Sequence, residues 1–188
     1  MLKKVLIFSV LLGFISCTNS LSEKEKEQYA KKGKEIAQAS FKELSSNLMH
    51  QMKQGGPALA VPFCNSQAMP LTNQMEEKFD VTIKRASNKV RNPVNKATER
   101  ELEIITAYEN LKKDKKGLTP IVEIDSNGKK HFYAPIIIKA KCLVCHGVLN
   151  EQLSIKTDSL IKAQYPSDMA VAYKEGDIRG VWSITFKN

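Results

Sequence analysis

Residues 121–146 read IVEIDSNGKKHFYAPIIIKAKCLVCH, and this stretch predicts a β-hairpin that leads directly into a short cysteine motif. Two runs rich in β-branched and aromatic residues, 121–124 and 130–138, flank Asn127-Gly128, a pair that favours a tight hairpin turn. Alternation along the second run places residues 132, 134, 136 and 138 on one face of the predicted sheet.

The hairpin is followed by Cys142-Leu143-Val144-Cys145-His146. The Cys-x-x-Cys-His pattern is the attachment signature of a c-type haem, in which two thiols add to the haem vinyl groups and the histidine becomes an axial ligand of the iron. The motif therefore predicts one covalent haem held by Cys142 and Cys145, with His146 as a ligand. The alternatives are a tight disulfide, half of a zinc site or a thioredoxin-like redox pair.

Helices are predicted before the hairpin. A four-residue hydrophobic period predicts a long helix over residues 24–53, and Gly55-Gly56-Pro57 ends it. A second helix is predicted within residues 58–79, where Pro62 and Pro70 limit its extent.

The elements predicted between and after these segments are strands, a loop and helices. Residues 81–86 read as a strand, Arg91-Asn92-Pro93 as a loop, and the Thr98/Glu101 capping box as the start of a third helix that Gly117 ends. A short helix is predicted over residues 159–163 and a last strand over 180–186. Helices followed by an antiparallel sheet predict an α+β fold, unlike the all-helical small cytochromes c.

The first sixteen residues predict export, as haem c requires. Lys3 and Lys4 precede an apolar run that is too short to span a bilayer and is typical of a signal peptide. Ser16-Cys17 resembles a lipobox, so Cys17 is expected to be lipidated and to become the mature N-terminus, with residues 17–27 as a tether. Residues 28–188 would form one domain.

The charge balance is basic, at +9 for the chain and +7 once Lys3 and Lys4 are removed. In an exported protein this balance does not indicate nucleic acid; it is compatible with anionic lipid head groups, an acidic redox partner or a merely solvated surface. The four cysteines leave Cys64 without a role after Cys17, Cys142 and Cys145 are assigned.

The second ligand of the iron stays open at this point. Sulfur and imidazole side chains are the possible donors. The candidates are Cys64, His50, His131, Met49, Met52, Met69, Met75 and Met169.

Four segments then point to a known family. They are residues 60–64 (AVPFC), 85–95 (RASNKVRNPVN), 142–147 (CLVCHG) and 176–184 (GDIRGVWSI). In this order they resemble the monohaem c-type domain of PAS-like fold first described in cyanobacteria, which also serves as the extracytoplasmic sensing module of some histidine kinases and chemoreceptors. The resemblance runs from about residue 28 to the C-terminus.

The resemblance implies an antiparallel sheet flanked by helices, with the haem against it and a histidine–cysteine axial pair. Carried over by motif, these ligands are His146 and Cys64. A thiolate ligand would stabilise ferric iron and lower the reduction potential. Arg85, Arg91 and Asn92 are expected either to bind the haem propionates or to fix the loop before the third helix.

The sequence therefore predicts a lipid-anchored monohaem cytochrome on the periplasmic side or cell surface. It would transfer one electron, or sense redox state or a diatomic gas, with an unidentified redox or signalling partner. The alternatives are a peroxidase-type haem enzyme and a haem-free domain with a disulfide. An enzyme is less favoured, because a peroxidase needs an open distal site and Cys64 would close it.

Overall fold

The computed structural model describes residues 20–187. Five α-helices and four β-strands follow one another as α1 (Glu23–Gly55), α2 (Pro57–Phe79), β1 (Val81–Ala86), α3 (Glu99–Lys113), β2 (Ile121–Ile124), β3 (Lys130–Ile137), α4 (Leu143–His146), α5 (Ile155–Gln164) and β4 (Ile178–Phe186). Short 3₁₀ turns occupy Pro93–Asn95 and Ala140–Cys142. The α+β prediction is confirmed.

Helix α1 is the long N-terminal helix that the hydrophobic period predicts. It begins inside the segment predicted as a tether, because the side chain of Ser22 caps the backbone of Glu25 and Glu25 bonds back to the backbone of Ser22. It ends where Gly56 adopts a φ of 62°, a conformation that glycine tolerates without strain.

Helix α2 runs through both of its internal prolines, so the prediction that Pro62 and Pro70 limit it is wrong. Each proline removes one backbone hydrogen bond, at a cost of about 3 kcal/mol in an isolated helix. Tertiary packing offsets this cost here, since α2 pairs with α1 and buries Val61 and Met75.

The four strands form one antiparallel sheet in the order β1-β4-β3-β2. Alternation divides it into two faces. Phe132 and Ile184 point into a core closed by α1 and α2, whereas Tyr133 and Val181 point into a second core closed by α3. The register shift between Ile136 and Ile137 moves Ile138 out of the first core, although the sequence predicts it on that face.

The segment after β3 carries the cysteine motif on the Ala140–Cys142 turn and the single turn of α4. Helix α5 then packs against α2 and is longer at both ends than predicted; Ser154 caps its N-terminus and accounts for the earlier start. Across residues 20–187, no helix has the length and apolar character needed to span a membrane.

Candidate haem site

A cavity of about 280 Å³ lies between the α1–α2 hairpin, the first face of the sheet and α4. Its apolar wall comes from α1, α2 and the sheet, and its polar wall from β1, the loop after it and β4. The apolar wall includes Phe41, Leu44, Leu48, Phe63, Ile136 and Trp182, and the polar wall includes Arg85, Arg91, Asn92, Asn95 and Arg179. Cys64, His146 and Tyr165 also line the cavity.

The two cysteines of the motif pack against different buried clusters. Cys142 contacts a buried cluster around Ile138 and Tyr173, and Cys145 contacts one around Val61 and Leu153. Within the part of the chain that the structure describes, Cys142, Cys145 and Cys64 are free thiols. The disulfide alternative for the motif finds no support in this geometry.

His146 is held in one tautomer. Its Nδ1 lies 2.7 Å from the carbonyl oxygen of Ala170, and because a carbonyl only accepts, Nδ1 carries the proton. Burial, with the positive charges of Arg91 and Arg179, holds the pKa of His146 well below its ordinary value, so the ring is neutral. The lone pair therefore sits on Nε2, the arrangement that a metal-ligating histidine needs.

Cys64 reaches the same cavity from α2. It lies one helical turn after Val61, which packs in the cluster that contains Cys145. Burial and the neighbouring Cys145 raise the pKa of the Cys64 thiol, whereas the charges of Arg85 and Arg91 oppose that shift. The structure thus brings Cys64 and His146, far apart in the sequence, to one site.

The predicted arginines have different surroundings. Arg91 forms a bidentate ion pair with Asp168, through Nε to Oδ1 at 3.1 Å and Nη2 to Oδ2 at 3.0 Å. The Nε of Arg85 is buried, and no residue among 20–187 accepts a hydrogen bond from it. Asn92 caps the Pro93–Asn95 turn by accepting from the backbone N–H of Val94, so its side chain has a loop-fixing role.

Arg179 is a site residue that sequence reasoning missed. Its Nη1 donates to the hydroxyl of Ser87 at 2.6 Å, and its guanidinium lies 5.5 Å from the ring centre of Tyr173. The available signal was that Arg179 is the one charged residue of β4. Tyr165 was missed as well; burial first, then the thiol of Cys64, raises its pKa to about 12.

The competing ligand candidates lie elsewhere. His131 bonds to Asp125 at 3.1 Å and to Thr185 at 3.0 Å on the other face of the sheet, and His50 is exposed on α1. None of the methionines in residues 20–187 lines the cavity; Met75 is in the core and Met169 is exposed. A zinc site also lacks support, since the described residues contain no cluster of three or more His, Cys, Asp or Glu side chains suited to a metal.

The residues present fit the haem that the motif predicts. The described lining of the cavity holds three arginines and no carboxylate, and Asp168 neutralises Arg91 alone. Arg85 and Arg179 remain as two positive charges beside an apolar wall, the complement of a flat apolar ring with two carboxylates. The unpartnered Nε of Arg85 is a donor that such a carboxylate would satisfy.

Comparison with known proteins gives one family and one solved structure. A sequence model of the Tll0287-like family, described as Tll0287, matches residues 20–187. The crystal structure of the cyanobacterial haem protein Tll0287 superposes with a TM-score of 0.60 and 22% identity, covering 89% of this chain and 98% of that chain. At this identity the likeness establishes the fold. No curated protein matches the chain.

Proposed function

This chain belongs to the Tll0287-like family, and from that premise we propose that it is a monohaem c-type cytochrome. Cys142 and Cys145 hold the haem by thioether bonds, and His146 binds the iron through Nε2. The observation that carries the proposal is the distance of 2.7 Å between the Ala170 carbonyl oxygen and Nδ1 of His146. This contact keeps the proton on Nδ1, so the Nε2 lone pair of the histidine that ends the attachment motif is free to bind iron. The haem-protein relative of the same fold supports it.

In this proposal Cys64 would be the second protein ligand of the iron. It lines the cavity together with His146; burial and Cys145 raise the pKa of its thiol, and the charges of Arg85 and Arg91 act against that rise. A thiolate ligand stabilises ferric iron and lowers the reduction potential. The haem supplies a one-electron couple; the chain orients the two ligands and surrounds the ring with Leu44, Leu48 and Trp182.

The cellular role we propose is one-electron transfer, or sensing of redox state or a diatomic gas, at a membrane surface. The predicted signal peptide and the lipidation of Cys17 lie outside the described residues. The basic net charge of the chain favours an acidic partner or anionic lipid head groups. Dissociation of Cys64 would open a ligand position for a gas such as nitric oxide or carbon monoxide.

The haem assignment is tested with protein co-expressed with haem-attachment machinery. We expect haem that survives denaturing electrophoresis in the wild type and its loss when Cys142 and Cys145 are both changed to Ser. Haem that leaves the wild-type chain under denaturing conditions would contradict covalent attachment.

The axial ligand is tested with Cys64→Ala. We expect covalent haem to remain while the low-spin thiolate signature in electron paramagnetic resonance disappears, and the midpoint potential to rise by about 100 mV or more. His50→Ala is the matched control, since His50 is exposed on α1. An unchanged spectrum in Cys64→Ala would remove Cys64 from the iron.

The anchor is tested by fractionation. Cys17→Ala should release the protein from membranes, whereas Cys64→Ala should leave it bound. Membrane retention of Cys17→Ala would contradict lipidation at that residue.

A further inference from the structure

The segment 168–173 passes beside the haem motif and contacts it through its backbone. The N–H groups of Ala172 and Tyr173 donate to the carbonyls of Gly147 and His146, both at 2.9 Å. The carbonyl of Ala170 accepts the Nδ1 proton of His146 at 2.7 Å. The orientation of the imidazole therefore depends on where this segment places one carbonyl.

Asp168 sets the position of that carbonyl from within the segment. Its Oδ1 accepts the N–H of Ala170 at 2.9 Å and the Nε–H of Arg91 at 3.1 Å. The Asp168 side chain is 2% exposed, so its charge is shielded from water and depends on Arg91 for neutralisation.

Arg91 reaches Ala170 from the loop after β1. Its Nη2 donates to the carbonyl of Cys145 at 2.7 Å, to Asp168 at 3.0 Å and, at the longer distance of 3.3 Å, to the carbonyl of Ala170. Ala170 is thus held at its N–H by Asp168 and at its C=O by Arg91, while Arg91 also holds the carbonyl of the residue before His146.

We propose that Arg91 and Asp168 are a positioning pair for His146. They fix the Ala170 carbonyl against the Cys145–His146 peptide, so that Nδ1 keeps its proton and Nε2 points into the cavity. This role rests on the proposed function of His146 as the iron ligand. It differs from the propionate role predicted for Arg91, because Asp168 already neutralises the Arg91 guanidinium.

The planar guanidinium is needed for this task. A lysine at position 91 keeps the charge but presents its donors from a single point, so it cannot serve both Asp168 oxygens and two carbonyls in one geometry. An asparagine at position 168 presents an amide in place of one carboxylate oxygen and leaves the Arg91 charge without its counter-ion.

The consequence for the haem is a change of potential. A firm hydrogen bond from Nδ1–H to a carbonyl makes the imidazole a stronger donor, which favours ferric iron. Weakening this bond in Arg91→Lys should therefore raise the midpoint potential. Arg91→Lys keeps the net charge, so a charge change cannot account for the rise.

The test compares Arg91→Lys and Asp168→Asn with Arg100→Lys. Arg100 makes the same bidentate contact with Glu123 outside the cavity lining, which makes it a matched control. In protein labelled with ¹⁵N at histidine, hydrogen exchange of the His146 Nδ1 proton should accelerate about tenfold or more in the first two variants, because exchange of a held N–H follows local opening. It should be unchanged in Arg100→Lys.

Hydrogen exchange at Nδ1 of His146 can be measured whether or not haem is attached. Absence of covalent haem would therefore contradict the proposed function, and the exchange rates would still test this inference. Variants that lose stability while the Nδ1 exchange and the potential stay at their wild-type values would overturn it. Should Asp168→Asn fail to fold, Asp168→Glu keeps the charge but displaces the carboxylate from the Ala170 N–H. It should also accelerate Nδ1 exchange.

Discussion

Gly33 of α1 packs against the ring of Phe132 of β3 with no room for a side chain between them. A Cβ atom on Gly33 would overlap the ring of Phe132, which is fully buried in the first core. This close approach sets the distance of α1 from the sheet. The same helix carries Leu44 and Leu48 to the cavity, so the contact also sets the position of one cavity wall.

Gly33→Ala is therefore expected to destabilise the domain. Overpacking a core typically costs 1–3 kcal/mol, and better helix propensity returns up to about 1 kcal/mol, so we expect a net loss of about 1–2 kcal/mol in the free energy of unfolding. Urea denaturation followed by circular dichroism measures it. Gly117→Ala is the control, since a side chain there meets open space; equal midpoints for the two variants would contradict the packing argument.

Arg85 is expected to act on the haem through its charge. Its buried Nε lacks an acceptor among residues 20–187, and the side chain lines the cavity beside Cys64. A nearby positive charge favours ferrous iron, so Arg85→Leu should lower the midpoint potential on the order of 50 mV. Potentiometric titration measures the change. Arg85→Lys keeps the charge and should stay close to the wild type, and a potential in Arg85→Leu equal to that of the wild type would exclude the effect.

Local sequence signals predicted much of the fold correctly. The capping box of Thr98 and Glu101 marks the start of α3, and Asn127-Gly128 marks the turn between β2 and β3, because both depend on neighbouring residues alone. The extent of α2 was mispredicted because packing against α1 outweighs the effect of Pro62, and no local pattern reports that packing.

The site was harder to predict than the fold. Cys142, Cys145 and His146 form a contiguous motif, so their chemistry is readable from spacing. The partner of Arg91 is not, since Asp168 lies 77 residues away and meets it through the fold. A propionate role was predicted for both Arg85 and Arg91. The structure distinguishes Arg91, which Asp168 neutralises, from Arg85, whose buried Nε has no acceptor among residues 20–187.

Tyr108 joins α3 to the sheet by a buried hydroxyl. Its oxygen lies 3.0 Å from the carbonyls of Thr119 and Tyr133, and the residue is 0% exposed. Tyr108→Phe removes the donor from both carbonyls and should lower the free energy of unfolding by about 1–2 kcal/mol. Urea denaturation measures the loss. Tyr29→Phe serves as a control on α1, and a neutral result for Tyr108→Phe would mean that water replaces the lost donor.

Glu101 gives the domain a stability that depends on pH. Burial alone would raise the pKa of Glu101, but hydrogen bonds from Lys84, the backbone of Thr98 and Ser183 prevail and lower it. The closest contacts, from Lys84 Nζ and the Thr98 N–H, are both 2.8 Å long. Because the folded pKa lies below the unfolded value near 4.5, this contribution is present in full above that pH and is lost as the pH falls through the folded pKa.

Glu101→Gln should therefore be less stable than the wild type at pH 7, by about 2 kcal/mol, since it loses charged hydrogen bonds. The difference should shrink as the pH falls below about 4.5, where the wild-type carboxylate takes up its proton. Urea denaturation at several pH values measures it, with Glu109→Gln on the exposed side of α3 as the control. A difference between Glu101→Gln and the wild type that stays constant down to acid pH would show that packing of the side chain, and not its charge, stabilises this junction between α3 and β1.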